Sequence, residues 1–176
     1  NFNFVNNYKS SLENKKNSKI SFFSKFNLDL KLENFIQSDL FLKIEKVSND
    51  TFLKVFDTNI QKNDLKPNDF NNLESELKLS LKRESYNFET GIKSFENLQK
   101  TSSDRYEYIF PYYDFDKIIN NNFLDGTIYL SSHGENILNN TNVFTSNVTN
   151  DVKYVSNEYI TFNGLKNSFS VDIKNL

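Results

Sequence analysis

The stretch SSDRYEYIFPYYDF, from Ser102 to Phe115, decides which kind of fold this chain can form. It brings together four of the nine tyrosines, two phenylalanines and one of the two prolines, with charged residues between them. Tyr106, Tyr108 and Phe110 recur at every second position, which is the spacing of a β-strand with one face in an apolar medium. A tyrosine places its ring in an apolar zone and its hydroxyl in water, so such a run is typical of a boundary between the two.

Period-two alternation recurs along the chain and is clearest between Leu73 and Arg83. Its apolar residues predict one face and its polar residues predict the other. The apolar set is Leu73, Leu77, Leu79 and Leu81, and the polar set includes Glu74, Glu76, Lys78 and Lys82. The same pattern predicts further strands around Phe26–Leu32, Leu40–Ile44, Tyr86–Ile92, Tyr106–Phe110, Ile128–Leu130, Ile160–Phe162 and Phe169–Ile173.

Other signals predict the connections between these strands. The segment Asp50–Phe56 breaks the alternation and predicts one helical turn capped by Asp50. Glu84–Ser85 reads as a short reversal, Asp125–Gly126 as a hairpin turn, and the asparagine-rich pieces Asn120–Asn122 and Asn139–Asn142 as loops. The sequence therefore predicts an all-β antiparallel meander, with no domain boundary between residues 1 and 176.

Composition narrows the classes of function. The net charge of −2 and the absence of a polybasic block argue against a nucleic-acid partner. The chain has no cysteine and one histidine, which excludes disulfides and zinc sites built from cysteine and histidine. No apolar run has the length of a membrane-spanning helix. We predict no catalytic, cofactor-binding or metal-binding residue, and no enzyme activity.

Two local motifs could indicate a catalytic or metal-binding site instead. His133 follows Ser131 and Ser132, but the glycine-flanked elbow of a serine hydrolase is missing, and we expect a short strand that runs into a loop here. Asp114 and Asp116 share one strand face, but no calcium-binding loop accompanies them. This is typical of strand ends that are exposed to water.

Alternation alone fits both a soluble β-sandwich and a membrane β-barrel. Strands of about 9–11 residues with strongly charged non-core faces favour the barrel, whose lumen is wet. A soluble or surface-exposed antiparallel β-module that binds a partner is the alternative.

The tyrosine-rich stretch resembles the barrel domain of the LptD family, the outer-membrane lipopolysaccharide assembly proteins also called organic solvent tolerance proteins. Family barrels carry a tyrosine-and-proline segment in which a strand starts just after the proline, and Tyr108, Pro111 and Tyr112–Phe115 match it. VSNDTFLKVFD (Val47–Asp57) is similar to a family strand end followed by an aromatic–leucine pair. YITFNGLKNSFSVDIKNL (Tyr159–Leu176) resembles a family strand pair joined by a Gly/Asn turn.

This resemblance covers the chain from about Phe26 onward, and residues 1–20 carry no family feature. It implies part of a large transmembrane β-barrel in the outer membrane of a Gram-negative bacterium. Because the chain lacks methionine and closes without a terminal aromatic residue, we expect an internal segment, without the signal peptide and periplasmic domain of the family.

The resemblance also implies a function and partners. The family inserts lipopolysaccharide into the outer leaflet, with an LptE-like lipoprotein that plugs the barrel and a periplasmic Lpt bridge that reaches the N-terminal domain. Outer-membrane lipid would surround the wall. On this basis we expect three groups of residues. The lumen-facing group is Glu74, Glu76, Lys78 and Lys82, the lipid-facing group is Leu77, Leu79 and Leu81, and the interfacial group is Tyr106, Tyr108, Tyr112 and Tyr113.

Overall fold

The structure is a computed structural model that describes residues 2–7, 19–55, 65–121, 125–139 and 142–175. Eleven strands form within these ranges, with one short α-helix (α1, Phe52–Val55) and one 3₁₀ turn (Ser102–Arg105). The strands are β1 (Phe2–Asn7), β2 (Lys19–Asp29), β3 (Gln37–Val47), β4 (Asn72–Lys82), β5 (Tyr86–Asn97), β6 (Tyr106–Asn121), β7 (Gly126–Asn139), β8 (Val143–Ser156), β9 (Tyr159–Ile160), β10 (Lys166–Asn167) and β11 (Ser170–Asn175).

Nine of these strands form one antiparallel sheet in the order β1-β2-β3-β4-β5-β6-β7-β8-β11. From β1 to β8, each strand pairs with the next one along the chain. The prediction of an all-β antiparallel meander is therefore confirmed. The excursion Tyr159–Asn167 forms a separate two-stranded hairpin, β9–β10, before β11 returns to pair with β8.

One row of directly opposite residues crosses seven strands, from β2 to β8. Its members are Lys25, Lys43, Glu76, Lys93, Ile109, Ile137 and Thr145. Lys25 lies in the second half of β2, whereas Thr145 lies close to the start of β8. The strands are thus displaced along their own direction as the sheet is crossed.

Most of the predicted connections are present. Glu84–Ser85 joins β4 to β5, and the helical turn forms at Phe52–Val55. Its predicted cap differs, because the Asp50 carboxylate is 2.7 Å from the Arg105 guanidinium, while the Asn49 side chain accepts the Thr51 amide hydrogen. β6 and β7 form the predicted hairpin, in which Asp125 has a φ of 48°.

The predicted ends of three strands are wrong, because Leu32, Phe162 and Phe169 lie outside β2, β9 and β11.

Three further predictions are wrong. Asn120 and Asn139 lie within strands rather than loops, because β6 and β7 continue to pair through them. No new strand starts after Pro111; β6 runs through it, with a shift in register near Phe110–Pro111. Phe56 and Asp57, which belong to the second matching segment, lie outside the residues that the structure describes.

A buried apolar cluster at one end of the sheet includes α1, and Leu65 and Phe70 pack against it. Its buried members are Phe23, Val47, Phe52, Leu53, Leu73 and Leu98. Leu73 lies on the same face of β4 as Leu77, as predicted, but Leu73 is buried in this cluster whereas Leu77 is exposed. Over the part of the chain that the structure describes, no helix is long and apolar enough to cross a membrane.

Candidate functional site on the two faces of the sheet

The two faces of the sheet differ in chemistry, and we call them the polar face and the apolar face. The polar face is the one that carries Glu76, and the apolar face is the one that carries Leu77. Residues opposite each other in paired strands share a face, so the register assigns each strand residue to one of them. Glu74, Glu76, Lys78 and Lys82 lie on the polar face, and Leu77, Leu79 and Leu81 lie on the apolar face. Their proposed contact with lumen or lipid remains a prediction.

Leucine and isoleucine from successive strands lie side by side on the apolar face. Leu42, Leu77 and Ile92 are consecutive neighbours across β3, β4 and β5. On the same face, the charged residues of β2 to β8 and β11 within the described ranges are Lys46 and Glu96 near one end and Lys117, opposite Tyr86, near the other. Between these two ends the described part of the apolar face carries no charged residue, and several of its side chains are exposed, with Ile92 at 48%.

Aromatic residues with neighbouring cations lie at both ends of the apolar face. At one end Tyr106 stacks on Tyr108 at 6.2 Å, and the Lys46 ammonium lies 5.3 Å from the Tyr106 ring. At the other end the Arg83 guanidinium lies 5.4 Å from the Phe35 ring and 5.8 Å from the Tyr86 ring.

Charged residues on the polar face form ion pairs between strands. Lys43 of β3 contacts Glu74 of β4 at 2.9 Å, and Glu45 in its own strand at 3.0 Å. Glu76 is 3.6 Å from Lys93 and accepts the Tyr112 hydroxyl hydrogen at 2.7 Å. The Lys93 ammonium also lies 4.9 Å from the centre of the Tyr112 ring. These strands are therefore joined by contacts that the sequence pattern alone does not specify.

At β3 and β4 the polar face is more enclosed than the apolar face. The Glu45 side chain is 4% exposed and that of Glu76 is 13% exposed, whereas Leu77, next to Glu76 in the chain, is 38% exposed. Farther across the sheet the polar face is open, since the side chains of Asp114 and His133 are 48% and 44% exposed. The segment Leu65–Asn68 covers one end of that face and leaves a cavity of about 280 Å³.

The four tyrosines predicted as one interfacial group separate into two. Tyr106, Tyr108 and Tyr113 lie on the apolar face, and Tyr112 lies on the polar face, almost fully buried. The cause is the register shift in β6, after which the odd-numbered residues, instead of the even-numbered ones, share the apolar face. Tyr113 bonds through its hydroxyl to Ser132 on that face.

His133 lies in the middle of β7, and the expectation of a loop there is wrong because the strand continues to Asn139. Its Nδ1 atom is 2.6 Å from Asp114. Ser131 donates a hydrogen bond to Asp116, and Ser132 lies on the other face, where it donates to Asn150. Asp114 and Asp116 do share a face, as predicted, but within β6 rather than at a wet strand end.

Within the described ranges, no group of three or more histidine, cysteine or acidic residues has an arrangement that could hold a metal ion. No protein-family model, curated protein or solved structure matches this chain.

Proposed function

We propose that this chain forms part of the wall of an outer-membrane β-barrel, with the apolar face towards lipid and the polar face towards the lumen. One observation carries the proposal: Leu77 and Ile92 are exposed on the apolar face, while Glu45 and Glu76 are enclosed on the other face. A water-soluble sheet buries its apolar face, whereas a barrel wall turns that face outward and encloses its polar residues.

The aromatic residues at the two ends support this orientation. Tyr86 lies eight positions before Ser94, the residue opposite Tyr108. Eight strand residues extend for about 27 Å, close to the apolar band of about 25 Å that a membrane barrel presents between its aromatic girdles. Tyrosine, lysine and arginine at both ends suit the polar boundary of a bilayer.

Three polar side chains on the apolar face are joined to each other, which suits exposure to lipid. The Tyr113 hydroxyl, the Ser132 hydroxyl and the Asn150 amide form a chain across β6, β7 and β8, at 3.2 and 2.7 Å. A polar group without a hydrogen-bond partner costs roughly several kcal/mol in hydrocarbon. Hydrogen bonds between such groups therefore allow them to face lipid.

The cargo that we propose is lipopolysaccharide, on the resemblance of three segments to the LptD family. Its acyl chains prefer the surroundings of the apolar face, and its charged sugar head prefers those of the polar face. An LptE-like plug in the lumen, the periplasmic Lpt bridge and the outer membrane as location belong to the same proposal.

The orientation is tested with single-tryptophan variants, since the chain has no tryptophan of its own. Leu79 and Lys78 are neighbours in β4 on opposite faces, which makes Leu79→Trp and Lys78→Trp a matched pair. In vesicles with brominated acyl chains, we expect strong fluorescence quenching for Leu79→Trp and little for Lys78→Trp. Equal weak quenching, with a chain that stays monodisperse without detergent, would overturn the barrel and favour a soluble or surface-exposed binding module.

The cargo is tested separately with a photo-crosslinking amino acid at Lys78, in cells that export lipopolysaccharide. We expect a lipopolysaccharide adduct at Lys78 that disappears when export is blocked. A lipid-quenched Leu79→Trp variant without any such adduct would retain the barrel and reject this cargo.

A further inference from the structure

A groove crosses the apolar face from β3 to β6, four strands that are each paired on both edges. Its volume is about 360 Å³, and it extends over three strand spacings, about 14 Å. We call it the transverse groove. Two adjacent rows of side chains line it, with Leu42, Leu77 and Ile92 in one row and Ser75, Ser94 and Tyr108 in the next.

The transverse groove exists because small side chains lie beside large ones. Ser75 and Ser94 are opposite each other, in the row next to Leu77 and Ile92. A serine side chain is much shorter than that of leucine or isoleucine, so the surface is lower along this row. The Ser75 hydroxyl also contacts β3, where it accepts the Glu45 amide hydrogen at 3.1 Å. The two serines therefore form the floor of the groove.

Two hydroxyl groups in the transverse groove have no hydrogen-bond partner among the residues that the structure describes. They belong to Ser94 and Tyr108, which are opposite each other in β5 and β6 and are half-buried. Elsewhere on this face, the side chains of Tyr113, Ser132 and Asn150 bond to each other. A hydroxyl in apolar surroundings requires an acceptor, so these two donors indicate a ligand that carries acceptor oxygens.

A lysine lies at the same end of the transverse groove. The Lys46 ammonium is 5.3 Å from the ring of Tyr106, which in turn stacks on Tyr108. Lys46 contacts Glu96 at 2.6 Å, yet its side chain is 55% exposed. Glu96 also accepts hydrogen bonds from Arg105, so its charge is shared between two cations. This order of apolar surface, hydroxyl donors and cation matches an ester lipid from its acyl chain to its phosphate.

We propose that the transverse groove binds one acyl chain of a glycerophospholipid. The chain lies against Leu42, Leu77 and Ile92. The hydroxyls of Ser94 and Tyr108 donate to an ester carbonyl oxygen, and the Lys46 ammonium faces the phosphate. This ligand is distinct from the proposed cargo. The inference therefore goes beyond the proposed function and holds whether or not the cargo is lipopolysaccharide.

Other lipids fit the transverse groove less well. A hydrocarbon or detergent chain without an ester leaves both hydroxyls without an acceptor. Lipopolysaccharide carries several acyl chains on one sugar head, whereas a groove of about 360 Å³ holds a single chain.

The test uses the full chain in a detergent that keeps it monodisperse, with native mass spectrometry to count the lipids that each chain retains. The probes are a phosphatidylglycerol with ester-linked chains and its ether-linked analogue, which lacks the carbonyl oxygens. We expect the wild type to retain one ester-linked lipid and to bind the ether-linked lipid at least threefold more weakly.

Ser94→Leu fills the floor of the transverse groove and should weaken binding of the ester-linked lipid at least tenfold. Its matched control is Ser146→Leu, which adds the same side chain at an exposed position of the apolar face, in β8. This control should bind like the wild type. Tyr108→Phe keeps the groove open and should reduce the preference for the ester-linked lipid, which decides the matter if Ser94→Leu fails to fold.

Several results would overturn the proposal: no retained phospholipid, unchanged binding by Ser94→Leu, equal affinity of the wild type for the ester-linked and ether-linked lipids, or retention of lipopolysaccharide in place of phosphatidylglycerol. Quenching of Leu79→Trp by brominated lipid together with any of these results would keep the barrel wall and reject the lipid site. A specifically retained phospholipid on a chain whose Leu79→Trp variant is not quenched would keep the lipid site and reject the wall.

Discussion

Tyr112 lies directly opposite Gly91, and its ring occupies the space that a side chain at Gly91 would fill. A Cβ atom at Gly91 would overlap the Leu77 carbonyl oxygen and lie 2.9 Å from the Tyr112 hydroxyl oxygen. Tyr113 has the same relationship to Gly134 on the other face. The tyrosine pair thus covers two glycines, one on each side of β6 and on opposite faces of the sheet.

Gly91→Ala should destabilise the fold by about 1–3 kcal/mol, because the added methyl group displaces backbone as well as the Tyr112 ring. The measurement is the free energy of unfolding in urea, followed by circular dichroism. Ser94→Ala, three residues away in β5, is the control and should change that free energy by about 0.5 kcal/mol or less. Equal effects of the two substitutions would contradict the close approach of Tyr112 to Gly91.

Tyr112→Phe removes the hydrogen bond to Glu76 and should cost about 1.5 kcal/mol, because the acceptor is a carboxylate on the enclosed face. Tyr129 is on the same face, 42% exposed, and Tyr129→Phe should leave the unfolding free energy almost unchanged. Urea unfolding of both variants provides the comparison. A loss in Tyr129→Phe as large as in Tyr112→Phe would show that the Glu76 bond contributes nothing specific.

The Asp50–Arg105 contact should make stability dependent on acid pH. The hydrogen bond from Arg105 lowers the pKa of Asp50, so the folded state favours the ionised carboxylate. This contribution is present above the pKa of Asp50 in the unfolded chain and is lost as pH falls through its lower value in the folded chain. Unfolding midpoints measured between neutral and strongly acid pH should therefore fall less steeply in Asp50→Asn than in the wild type.

The matched background for that experiment is Arg105→Gln, which removes the partner of Asp50. In this background Asp50→Asn should no longer alter the acid limb of the profile. A persistent difference would assign the pH dependence to a contact other than Arg105.

Leu79→Lys should make the free energy of insertion into vesicles less favourable by about 2–4 kcal/mol if the apolar face meets lipid. The reason is that a charge near the middle of that face must leave water. Lys78→Leu, on the opposite face, should insert like the wild type. Flotation of the chain with vesicles after dilution from urea measures both. Insertion of Leu79→Lys at the wild-type level would contradict the proposed orientation.

Local pattern was sufficient to predict most strands and the division of β4 between its two faces. Leucines 77, 79 and 81 are spaced two apart, and no register shift interrupts their pairing with β3 or β5. The helical turn was predicted for the same reason, since the alternation stops at Asp50.

The split of the four tyrosines could not be predicted from spacing. It depends on a register shift whose position is set by pairing with two neighbouring strands. Pro111 was the available signal, because proline within a strand marks an edge or a bulge. The Tyr112–Glu76 bond likewise joins residues 36 positions apart, which requires the order of β4, β5 and β6.

The row from Lys25 to Thr145 has a geometric consequence for the sheet. Relative to this row, the midpoint of β8 is displaced from that of β2 by between five and six residues, over six strand-to-strand steps. This displacement is about 18 Å along the strands over a width of about 29 Å across them. The line through the strand midpoints is therefore inclined by about 30° to the perpendicular of the strands. If the two ends of the sheet lie in two parallel planes, the strands must therefore tilt by this angle from the normal to those planes. The tilt is close to the lower limit of about 35° for the strands of membrane barrels.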